Sequence, residues 1–210
     1  MDNSDWWSIS RGSDSDDSTE AQERELASTN FQVLGVNLGE TMFSRASRKL
    51  GKATVVERGD ASAGRRQVCY ESPGAQAKVR LIFEQGEVGY LFYLLADGPS
   101  WEGADRCVAS KAISRSLATA SGLHLGMTPA QVIAAIGKPT KRRENEMVYS
   151  FLLRKKTGSK DLKEARERNP KMSEKEFQAN FSHYDLTTGL VAKFVDSKLT
   201  YLSVSKVETN

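Results

Sequence analysis

The chain has no run of about eighteen apolar residues, so no segment reads as a membrane-spanning helix. Histidine and cysteine are scarce, with two of each. Cys69, Cys107, His124 and His183 stand at spacings unrelated to a four-ligand zinc site, and no metal is expected. Charge of one sign is not in excess: a formal net charge of +3 is too small to argue for nucleic acid by itself. Met1–Trp7 lacks the basic and apolar regions of a signal peptide. Two expectations follow: a cytoplasmic protein, or one whose leader lies ahead of this sequence.

What is present bounds the rest. The 210 residues make one ordinary domain or two small ones, and 39% hydrophobic content supports a core with part of the chain outside it. Residues 1–28 read as an acidic disordered tail, with eight acids against two bases up to residue 25. Trp6 and Trp7 are the exception and could dock on the body or a neighbour.

Beyond the tail the sequence repeats itself. Gly35, Leu38, Gly39 and Thr41 match Gly122, Leu125, Gly126 and Thr128; Leu50-Gly51-Lys52 matches Ile136-Gly137-Lys138. In the second copy Thr128 reads as a helix N-cap, with Pro129 at the first helical position and Gln131 completing a capping box. Met127 can staple onto Val132; Val132, Ile133 and Ile136 form the apolar face, and Gly137 ends the helix. Met42, Phe43, Ala46 and Leu50 make the corresponding face in the first copy, ended by Gly51. Each copy continues into strands near Val68-Cys69-Tyr70 and Met147-Val148-Tyr149, then a hairpin turning at Gln85-Gly86 or Asp196-Ser197. The expected fold class is α+β: two tandem repeats of helix plus three- to four-stranded antiparallel sheet, over 29–95 and 107–210, joined by a linker at 96–106.

The second copy holds about 25 extra residues before its final hairpin. The excess falls at 154–176, with nine bases against five acids and few apolar positions, and reads as a solvated excursion, a short helix on a loop. Glu164 can pair with Arg168 at i, i+4.

The run Gly122-Leu-His-Leu-Gly-Met-Thr, continuing through Val132 to Gly137 and Pro139, resembles the opening of the BamE-like (SmpA/OmlA) outer-membrane lipoprotein domains. Phe194–Leu199 resembles their closing hairpin. A tandem pair is similar in layout to the β-lactamase inhibitor protein fold. The resemblance covers roughly 31–95 and 107–207. It implies an extracytoplasmic, periplasmic or secreted binding or scaffolding module rather than an enzyme. The sequence departs from the pattern at Ala53, where a proline would stand, and has no lipobox cysteine ahead of the domain.

Candidates for chemistry are few. His124 lies beside two glycines with no carboxylate or nucleophile fixed near it. His183 and Asp185 share a strand face and could form a dyad or simply a surface hydrogen bond. The Gly-x-x-x-Gly pairs lack the Gly-Lys-Ser/Thr ending of a phosphate loop. No catalytic residue, cofactor or small-molecule substrate is therefore expected. The first functional reading is a non-catalytic protein-binding or envelope-scaffold module, with Tyr90, Tyr93, Lys155, Lys156, Lys160, Lys163 and Arg166 as candidate partner-binding residues. The second is a binder of nucleic acid or an anionic surface through the basic region 138–175. Cys69 and Cys107 flank the linker and are expected to form a disulfide closing a loop of about forty residues; the competing reading is two buried thiols.

Overall fold

A computed structural model describes residues 32–59, 64–74, 78–86, 89–96 and 106–209. The tail expected over 1–28, Trp6 and Trp7 with it, and most of the linker expected over 96–106 lie outside these residues. The fold is α+β. Strands β1 (Gln32–Val33) and β2 (Val36–Asn37) precede helix α1 (Met42–Leu50), followed by β3 (Val56–Arg58), β4 (Arg65–Glu71), β5 (Val79–Gln85) and β6 (Gly89–Ala96). The short β7 (Val108–Ala109) leads to α2 (Pro129–Ile136), β8 (Lys141–Arg143) and β9 (Glu146–Lys156). Helices α3 (Ser159–Arg168) and α4 (Glu174–Phe181) then precede β10 (His183–Val195) and β11 (Lys198–Thr209).

Local chemistry explains α2. Thr128 accepts from the Gln131 amide while the Gln131 side chain accepts from the Thr128 amide, and Pro129 opens the helix. Val132 and Ile136 are buried, one turn apart, and Gly137 ends the helix at φ 82°, where a side chain would be strained. In α1 the Thr41 side chain makes no capping bond. Burial of Met42, Ala46 and Leu50 along one stripe supplies the ordering force instead, and Gly51 stops the helix at φ 101°.

One sheet organises the molecule. Its order is β3-β4-β5-β6-β11-β10-β9-β8, antiparallel at each step, with β7 added parallel to β4. β6 and β11 meet at the centre, Tyr201 opposite Leu95 and Val207 opposite Gly89. One face packs under the helices: Tyr70, Phe83, Phe92, Leu202, Leu190 and Tyr149 share a core with Met42, Ala46, Val132 and Ile136. The β10–β11 turn has two residues, Asp196 and Ser197, both at positive φ, the geometry that matches the right-handed twist of a tight hairpin.

The 154–176 excursion holds the expected short helix, α3, and adds a second helix in place of the loop after it. Residues 154–156 complete β9, and the rest is a helix pair running on to Phe181. Glu164 pairs with Arg168 at 3.8 Å. Ser173 and Glu176 form a second capping box at the start of α4. Phe177 is only 3% exposed, so the segment has an apolar anchor of its own. No helix among the described residues is long and apolar enough to cross a membrane.

Candidate functional site

Strand alternation sends every second side chain to the sheet face opposite α1 and α2. The pairing registers arrange these side chains in rows. One row runs Val148, Val191, Ser203, Tyr93, Ile82, Cys69. The next runs Glu146, Lys193, Tyr201, Leu95, Arg80, Glu71. Behind the first lies Ser150, Gly189, Ser205, Leu91, Glu84, Gln67. Small residues thus floor the centre, and the Ser205 hydroxyl donates to the Gly189 carbonyl at 3.3 Å. Tyr93 and Tyr201 stand beside that floor with ring centroids 6.3 Å apart, both partly exposed.

Charged groups flank the tyrosine pair. Lys193 Nζ lies 5.2 Å from the Tyr201 ring centre and 3.6 Å from Glu146, which also pairs with Arg143. On the other side Glu84, 3% exposed, accepts from the Gln67 amide and lies 3.7 Å from Arg65. The Gln67 Oε1 atom is buried with no hydrogen-bond partner among the described residues. Burial pushes the Tyr93 hydroxyl well above the usual tyrosine range, and the charge of Glu84 adds to the shift. Burial raises Tyr201 as well, against a hydrogen bond with Ser203 that lowers it.

Cys69 also lies on this face. Tyr70 is opposite Val108 and Glu71 opposite Ala109 in the parallel β4–β7 pair, which sets Cys107 beside Cys69. The two form a disulfide, with Cα atoms 4.5 Å apart.

The candidate partner-binding residues do not converge. Tyr93 lies on the face opposite α1 and α2, whereas Tyr90 packs against the core on the other. Lys155 and Lys156 end β9, and Lys160 and Lys163 are exposed on α3. Arg166 turns back over the Phe177 ring at 3.7 Å and donates to the Met172 carbonyl, so its role is internal. His124 Nδ1 is 2.9 Å from the Leu125 carbonyl, and His183 Nδ1 is 3.0 Å from the Ser182 hydroxyl; neither contact involves a carboxylate. Among the described residues no group of His, Cys, Asp and Glu could hold a metal. A cleft of about 440 Å³ beside the β10–β11 turn is lined by Leu125, Val195 and Leu199 with Arg115, Asp196 and Lys198, and contains no histidine or cysteine. Lys193, beside Tyr201 on this face, was not singled out by sequence reasoning; its alternation with buried Ala192 carried the signal. No protein-family model, curated protein or solved structure matches this chain.

Proposed function

We propose that the protein is a non-catalytic module that binds another protein through the sheet face opposite α1 and α2, outside the cytoplasm. The supporting observation is the Tyr93–Tyr201 pair, partly exposed at the sheet centre beside a floor of serine and glycine. Tyrosines offer large apolar area at low entropic cost, with a hydroxyl for orientation, and they dominate many interface centres. The ion pairs of Lys193 and Glu84 lie around them as a polar surround would. The reading includes a tandem pair of one module, α1 with β3–β6 and α2 with β8–β11, joined across β6 and β11. An oxidising compartment suits the Cys69–Cys107 bond.

A photo-crosslinking residue in place of Tyr201 tests the binding face. It should join the protein to one discrete partner in intact cells, while the same residue at Lys163 should not. Equal labelling from both positions, or none from Tyr201, overturns the reading. Fusion of the full coding sequence to alkaline phosphatase, active only after export, tests the compartment independently.

A further inference from the structure

β9 is paired along its whole length on one side and along less than a third of it on the other. All its residues from Glu146 to Lys156 face partners in β10. On the outer side β8 reaches only Glu146, Met147 and Val148. The next outward group, the Ser150 amide, donates to the Thr140 hydroxyl at 3.1 Å. Backbone groups alternate sides along an antiparallel strand, so the amides and carbonyls of Leu152, Arg154 and Lys156 point outward too. The parity agrees across the sheet: Gly189, opposite Ser150, sends its amide away from β9 to the Ser205 hydroxyl. Among the described residues nothing pairs with this stretch of edge. Leu152 is 54% exposed beside it.

We propose that this edge accepts an extended acidic segment of another protein as an added strand. Charge selects the occupant. Arg154, Lys155 and Lys156 are exposed, and none makes an ion pair among the described residues. Lysines on an open edge also repel a second copy, since pairing two β9 edges brings like charges together. An incoming strand with acids on the face of Arg154 and Lys156, and an apolar residue beside Leu152, meets the opposite condition. Backbone bonds supply the affinity and the alternating side chains the selectivity. The inference is independent of the tyrosine pair, which lies two and three strands away, on β11 and β6.

The probe is a synthetic heptapeptide, Thr-Glu-Thr-Glu-Thr-Val-Thr, long enough to span an edge of this length, which in antiparallel register sets its glutamates beside Lys156 and Arg154 and its valine beside Leu152. Titrated into the full chain, it should protect the amides of Leu152, Arg154 and Lys156 from hydrogen exchange. Leu152→Pro removes only an outward amide, which the native ladder does not use, so the sheet should persist and peptide binding should vanish. Arg154→Glu with Lys156→Glu should weaken binding roughly ten-fold at low salt. Unchanged affinity in Leu152→Pro overturns the proposal. So does protection of these amides in the chain alone, which would mean the edge is already occupied. Tighter binding of a DNA oligonucleotide of equal charge, with no amide protection, would instead make this a polyanion site and also overturn it.

Discussion

The Tyr149 hydroxyl donates to the carbonyl of Gly137, the residue that ends α2, at 3.1 Å. Tyr70 makes the corresponding bond to Gly51, which ends α1, at 3.0 Å. Each tyrosine stands on the second strand after its helix, and each ring belongs to the core. A helix leaves its last carbonyls unsatisfied, and a phenol rising from the sheet reaches one of the groups at that end. The bond therefore fixes the helix end against the strand that carries the core.

Tyr149→Phe keeps the ring and removes only the donor. The expected loss is about 1 kcal/mol, with Tyr70→Phe similar. Tyr149→Ala removes the ring as well and should cost roughly 3–5 kcal/mol. Urea midpoints check this. Equal losses for Phe and Ala would show that packing contributes nothing at this site.

Alkaline pH should unfold the protein through its tyrosines. Burial pushes Tyr149 up to about 12, and raises Tyr70, Tyr93 and Tyr201 as well. A folded-state value above the unfolded one means that the folded form keeps its proton longer. That stability is complete below the unfolded value of about 10 and is lost as pH rises through the folded values. Stability should therefore fall steeply above about pH 10, in step with the rise of tyrosinate absorbance. Tyrosinate forming at ordinary pH while the fold persists would contradict the burial.

Reduction of Cys69–Cys107 should lower stability by roughly 3–4 kcal/mol, the chain-entropy value for a loop of this size. The effect should centre on β7, whose two residues otherwise hold to β4 by a short parallel pairing. Comparing urea unfolding with and without reductant measures it. Identical curves would mean that β7 and β4 stay together without the bond.

Short-range rules were enough for some elements. Thr128, Pro129, Gln131 and Gly137 mark both ends of α2 within ten residues, and Asp196-Ser197 marks a turn. Long-range register was not legible. Nothing near Gln67 says that it will lie beside Glu84, because the β4–β5 pairing alone brings them together. The parallel β4–β7 contact is likewise invisible in the two residues of β7. Helix α4 could have been found: Ser173 and Glu176 have the same spacing as Thr128 and Gln131, and Phe177 follows. The charge density of 154–176 hid that signal.

The helix pair α3–α4 should be a stable unit held by Arg166. Its guanidinium lies 3.7 Å from the centre of the Phe177 ring, donates to the Met172 carbonyl at 2.9 Å, and pairs with Glu174. One side chain thus ties α3 to the α3–α4 loop, to the first turn of α4 and to its buried anchor. A planar guanidinium can stack and donate in two directions at once, which an ammonium cannot. Arg166→Ala should destabilise the pair locally by roughly 1–2 kcal/mol, and Arg166→Lys should recover only part of that loss. Hydrogen exchange separates this from a global effect: α3 amides should lose protection while those of β10 keep theirs. In the unmodified protein, trypsin should cut slowly at Lys163 and Lys171 despite their exposure. Rapid cleavage there, with α3 amides exchanging as in a free peptide, would mean that Arg166 holds nothing and that the segment is the open loop its charge suggests.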